Sequence, residues 1–296
     1  MTNNNKPEVL YKYTTFEVGM KILEKQTIRF SNPKTFNDPY DCNMPVIFKN
    51  LQKLNKDFFI QLNNQVREYI DLKTNIMEKL DYELENLSNF DNTATINAND
   101  YLNSILKPFK EDMRILSTSK VNNNLLMWGH YANNHTGIVI GFNTDYKFFK
   151  NPQKIKYSEN NEFPRLKNAL INDILLKKKT SVEELKTYFH TKSTDWNYEK
   201  EYRFEFSVNN LHKEFISFPD YIKLYPKFFE EIKNKNDYIH PYIIPQCVDS
   251  IYIGLNVNII DENKIINLVK NKYPDTKIYK ADLSKKEFRI EFNPIN

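Results

Sequence analysis

Five glycines in 296 residues restrict this chain more than any other feature of its sequence. A doubly wound nucleotide-binding fold needs a glycine-rich turn, because only a residue without a side chain lets the backbone close on a pyrophosphate. No GxGxxG or GxxxxGK run can be written anywhere in the chain. Each glycine that is present is then expected to mark a backbone position that requires one.

The order of hydrophobic patterns predicts an α+β fold instead. Residues 9–15 (VLYKYTT) predict a strand, 16–26 an amphipathic helix with Phe16, Met20 and Leu23 on one face, and 27–31 a second strand. A turn-rich stretch, NPKTFNDPYD, follows. Later strands are expected at 113–119, 137–143, 200–208, 248–254 and 276–281, and helices at 122–134, 164–192 and 260–272. Residues 50–112 are polar, with spaced Leu, Ile and Phe, and predict a helical insertion. No internal repeat or long linker divides the chain, so residues 1–296 are expected to form a single domain with that insertion.

Charge and cysteine content exclude several classes. Forty-two basic and 38 acidic residues give a net charge of +4, which supplies no general nucleic-acid footprint. Cys42 and Cys247 have neither metal-ligand spacing nor the density of a disulfide framework. No stretch reads as a secretion signal or a membrane span, so a cytoplasmic protein is the expectation. Nothing in the sequence fixes the oligomeric state.

Three segments concentrate chemistry. The first, LLMWGHYANNHTGIVIGF (125–142), puts Trp128, His130 and Tyr131 within one helical turn. His130 and His135 are five apart, which is not the i, i+4 spacing of a helical zinc pair, so no metal is expected. The bland reading is an aromatic helix packed on a sheet, with His130 hydrogen-bonded in the core. The second, DWNYEKEYRFEF (195–206), predicts a strand with Glu199, Glu201 and Arg203 on one face. Such a face is costly to bury unless its charges pair or meet a ligand, and otherwise it lies at an edge in water. The third, SNPKTFNDPYDC (31–42), is a turn in which Asn37 and Asp38 can bond their own backbone.

Together LYKY, FNDPYDC, MWGHYANNHTGIVIGF and WNYEKEYR resemble the signature of DUF2971, a bacterial family of unknown function. The chain is also distantly similar to ADP-ribosyltransferases that use NAD. The β–α–β start, the tyrosine-bearing helix entering a buried strand, and an ExE-like pair on a late strand carry that similarity. It implies a mixed or antiparallel ADP-ribosyltransferase-like sheet, NAD as substrate and an unknown protein or nucleic-acid acceptor. Glu201, Glu199, Tyr131 and His130 are then the expected catalytic set. Tyr11, Lys12, Tyr13, Ser31, Asn37, Asp38, Trp128 and Arg203 are expected to bind NAD, with Tyr131, Trp128 and Tyr40 competing to stack on nicotinamide. The first strand departs from that family in having Lys12 between two tyrosines rather than a His or Arg. A toxin or phage-defence role fits such an enzyme. Two alternatives stand: a metal-assisted hydrolase or nuclease using Asp38, Asp41, His130 and the glutamates, and a non-catalytic sensor or partner-binding module.

Overall fold

A computed structural model describes residues 6–44, 110–146, 151–163, 188–208 and 236–295, with short pieces between these runs. The chain opens with β1 (Val9–Thr14), α1 (Phe16–Lys25) and β2 (Phe30–Ser31). The Thr15 hydroxyl caps α1 by accepting from Val18 N, and Gln26 stops the helix in a left-handed conformation. Next come β3 (Met113–Ser119), α2 (Leu125–Tyr131), β4 (Ile138–Asn143) and β5 (Gln153–Lys154). The remainder is β6 (Glu201–Ser207), β7 (Tyr238–Ile239), β8 (Val248–Ile253), α3 (Ile259–Lys272), β9 (Lys277–Leu283) and β10 (Ile290–Pro294).

These ten strands form one mostly antiparallel sheet. β1 pairs with β4 along its whole length, β4 with β8, β8 in parallel with β9, and β9 with β10. β6 covers all of β3, from Glu201 opposite Ser119 to Ser207 opposite Met113. The other edge of β3 is shared. β1 meets it at Tyr11 opposite Ser119, and β2 meets it at Ser31 opposite Ile115. Between those two pairs the sheet splits, because β1 leaves β3 to follow β4.

Alternation along the strands sorts two cores. Leu10, Ile138, Ile140, Phe142, Ile251 and Ile253 face one way, against Ile22 and Leu23 of α1 and Ile265 and Val269 of α3. Tyr13, Val139 and Tyr252 face the other way, against Met127 and Trp128 of α2. Each fully buried side chain of this kind contributes about 1.5–3 kcal/mol.

Four of the five glycines act by closeness, not by left-handed backbone; a Cβ on Gly129 would meet nothing within 4 Å. None has positive φ, whereas eight other residues among those described do. A Cβ on Gly137 would lie 2.2 Å from Thr14 O, and one on Gly254 would lie 2.3 Å from His135 O. The helix predicted over 122–134 is shorter, because Asn133, Asn134 and His135 turn left-handed in succession. Of the strand predicted at 27–31, only Phe30–Ser31 pairs in the sheet, with Thr27 in a lone bridge to Tyr242. The helix predicted over 164–192 fails at both ends, where Arg165–Leu166 and Thr191–Ser193 are strands, and 167–187 lie outside the described residues. Most of the helical insertion predicted at 50–112 also lies outside them. Its described part includes two short strands, Lys53–Leu54 and Ile96–Asn97, and the start of the run that leads into β3. β10 was not anticipated by the pattern.

Candidate functional site

β6 carries the sequence EYRFEFS. Tyr202 and Phe204 join the main core, so Glu201 and Arg203 project from the opposite face, across from Ser119 and Ser117 of β3. The small serines leave room above the sheet. That room is filled by Asp41, from the turn after β2, and Lys192, from the short strand Thr191–Ser193.

Glu199 reaches the same point by a different route. It ends a 3₁₀ turn, Thr194–Glu199, and Lys200 then adopts a left-handed conformation before β6 begins. The two glutamates therefore do not share a strand, as their spacing predicts. The turn at Lys200 brings them together instead. Lys192 Nζ lies 2.7 Å from Glu199 Oε2, 3.1 Å from Glu201 Oε2 and 3.4 Å from Asp41 Oδ2. Arg203 Nε donates to Glu201 Oε1 at 2.8 Å, and its Nη2 reaches Asp41 at 2.6 Å. Arg203 Nη1 donates to Phe189 O, and the Tyr131 hydroxyl donates to Glu199. All five charged side chains are buried, which is tolerable because each is paired.

Burial and pairing set the two carboxyls apart. Burial opposes ionisation of Glu201, but Arg203 and Lys192 overcome it and hold its carboxyl well below the usual range. Burial dominates at Glu199, and with the nearby Glu201 charge it raises that carboxyl despite Lys192. Pairs driven apart in this way divide the roles of fixed anion and proton carrier. Lys192 stays protonated, since burial is outweighed by Glu201, Asp41 and Glu199.

Glu199, Glu201, Asp41 and Lys192 line a cleft of about 280 Å³. Lys12 and Arg29 line the same cleft with Ser31 and Ser117, and Tyr11, Tyr13, Tyr131 and Tyr238 supply aromatic walls. Lys12 Nζ donates to Ser117 O across the split. Burial, and then the charge of Arg29, lowers its ammonium to about 8 against the pull of Glu201 and Glu199. Arg29 lies over the ring of Tyr238, 4.9 Å from its centroid.

Of the residues picked from sequence, Glu199, Glu201, Tyr131, Tyr11, Lys12, Tyr13, Ser31 and Asn37 line this cleft. Arg203 does not. It is wholly buried beneath Glu201 and Asp41, so the cations facing the cavity are Lys12, Arg29 and Lys192. Trp128 is also wholly buried, edge-on to Tyr13 and donating to Asn122 O, as a core residue would be. His130 is exposed and bonds the Tyr198 hydroxyl, outside the cleft and not in the core. Asp38 accepts from Tyr40 N within its own turn, and Tyr40 is exposed against Phe163. Of the set proposed for metal-assisted hydrolysis, Asp41, Glu199 and Glu201 converge on Lys192, whereas Asp38 and His130 do not line the cleft. Among the described residues no group of three or more His, Cys, Asp or Glu is placed to hold a metal. Sequence reasoning missed Lys192 and Arg29, each a lone cation at no diagnostic spacing. It named Asp41 for the hydrolase and as facing a cleft shared with Asp38; Asp41 lines the cleft and Asp38 does not.

The fold and site define a mixed α and β protein with a mostly antiparallel sheet, split over a cleft with a charged floor. The model of a family described as protein of unknown function (DUF2971) matches residues 127–204, from within α2 through Phe204 of β6. That span holds Tyr131, Lys192, Glu199, Glu201 and Arg203. No curated protein and no solved structure matches the chain. Among the described residues, no helix is long and apolar enough to cross a membrane.

Proposed function

We propose that the chain is an ADP-ribosyltransferase-like enzyme that breaks the nicotinamide–ribose bond of NAD. The observation that carries this reading is the convergence of Glu199 and Glu201 on Lys192, in a cleft also lined by Lys12 and Arg29. A carboxylate pair suits a ribose on its way to a cation. Two further cations in the same cleft suit a pyrophosphate. The volume is just below the range of about 300–1,000 Å³ usual for small-molecule sites. It suits the nicotinamide ribose, with the adenosine half toward the open side.

In this reading nicotinamide stacks on a cleft tyrosine, with Tyr131 nearest the carboxylates. The C1′–N bond breaks, its electron pair leaves on the nicotinamide nitrogen, and C1′ becomes an oxocarbenium. Glu201, held anionic by Arg203 and Lys192, stabilises that cation and holds a ribose hydroxyl. Glu199, with its raised proton affinity, takes the proton from the acceptor as its lone pair bonds C1′. The acceptor is a protein or nucleic-acid group, or water. A role as a toxin or phage-defence effector accords with such chemistry.

The test is nicotinamide release from NAD by the purified protein beside Glu201→Gln, each with and without cell extract. Release that needs Glu201 supports the proposal. No release under any condition, together with no NAD binding by calorimetry, overturns it.

A further inference from the structure

We infer that Lys192 is the positioning residue of this site: its ammonium clamps Glu199 and Glu201 together and screens their mutual repulsion. The inference deepens the NAD reading and rests on it for the reaction, but the clamp itself is a property of the folded protein.

Three carboxylates converge on one nitrogen here, at 2.7, 3.1 and 3.4 Å. Arg203 neutralises Asp41 and one edge of Glu201, and it makes no ion pair with Glu199 among those the structure records. Lys192 is thus the cation that Glu199 and Glu201 share. Remove it and two like charges remain side by side in a buried place, where mutual repulsion is far less screened than in water.

The groups facing this cluster come from every neighbouring element. The turn after β2 supplies Asp41 and the Cys42 thiol, which bonds Arg203. α2 supplies Tyr131, and the segment Lys156–Ser158 supplies Tyr157, whose hydroxyl accepts from Glu201 N. Lys192 Nζ also lies 5.0 Å over the Trp196 ring, and Lys12 approaches from β1. None of these neighbours can replace a cation between the glutamates, since the phenols and thiol are neutral and Lys12 is already bonded to Ser117 O.

The experiment is a carboxyl-carbon NMR titration of glutamate-labelled protein, with Glu199 and Glu201 assigned by their Gln variants. It is run on the wild type, Lys192→Met, Lys192→Arg and the charge-balanced pair Lys192→Met with Glu199→Gln. In Lys192→Met the proton affinity of Glu201 should rise about tenfold or more, a midpoint shift of about one pH unit, and Glu199 should rise further. Lys192→Arg should return both midpoints most of the way to their wild-type positions. If the single variant does not fold, the double variant decides, since Glu201 should still titrate higher there than in the wild type. Midpoints unchanged on loss of Lys192 overturn the inference. Nicotinamide release measured on the same samples judges the NAD reading separately: a clamp without release retains this inference and sinks that one.

Discussion

On one face of β6, Tyr202 and Phe204 pack into the main core with Phe149 and Leu116. On the other, Glu201 and Arg203 enter a buried set of charges with Asp41 and Lys192. The same strand therefore faces two buried surroundings of opposite kind. The first is held by shape and area, and tolerates any well-filled apolar set. The second depends on every charge keeping its partner, because desolvation leaves little surplus when one is lost. Stability built by the first means is insensitive to pH, and stability built by the second is not.

The largest expected effects test that contrast directly. Phe204→Ala should cost about 3–5 kcal/mol, as large aromatic truncations in cores do. Arg203→Leu should cost a similar amount, about 3–5 kcal/mol, by leaving Asp41 and Glu201 buried without their guanidinium. The two should separate on acidification in urea unfolding. Glu201 is held below its unfolded range, so its contribution in the wild type is present above that range and lost as pH falls toward its folded value. Without Arg203 much of that contribution is already absent. The Arg203→Leu deficit should shrink as pH falls below the ordinary glutamate value of about 4.3, while the Phe204→Ala deficit stays. Parallel deficits would erase the distinction drawn here.

Glu201→Gln should lower nicotinamide release at least a hundredfold and cost about 3 kcal/mol of stability, since Arg203 and Lys192 lose the charge they pair with while the amide keeps only the shape. Lys12 works the opposite way. Its folded value of about 8 lies below the ordinary lysine value, so between the two the unfolded chain binds more protons and stability rises with pH. Lys12→Met should therefore stabilise the protein by about 1–2 kcal/mol at pH 7, allowing for water in the cleft, with the gain vanishing above pH ~10. The same variant should weaken binding of NAD. At the small end, His130→Ala should leave nicotinamide release within about twofold and stability within about 0.5 kcal/mol, because the ring is exposed and, among the described residues, lies against the rings of Tyr198 and Tyr131. A large loss of activity would restore His130 to the catalytic set.

Much of the fold was legible because period-two and helical patterns survive in sequence. VLYKYT, MRILSTS and GIVIGF each occupy strands where alternation or a buried run predicts them. Boundaries failed where left-handed residues other than glycine end an element, as at Asn133–His135, since Asn and His carry no fixed stop signal. The glutamates were legible as costly residues in an apolar stretch. Their partners were not: Lys192 lies seven residues before Glu199 on a separate short strand, and Asp41 arrives from a turn 158 residues before Glu199. Tertiary folding alone makes those neighbours. Trp128 and Tyr131 looked equivalent on one helix, yet three residues apart they divide between core and cleft.

The split between β1 and β2 has a consequence for inheritance. In an antiparallel strand a residue turns its carbonyl and its amide toward the same edge. Ser117 gives its carbonyl to Lys12 across the gap, so its main chain looks into the cleft and not into a ladder with β1 or β2. Recognition drawn from that edge is written in no particular side chain. Replacements along Leu116–Thr118 repaint the wall while this polar seam persists, and proline at 117 is the substitution that would cut its amide away.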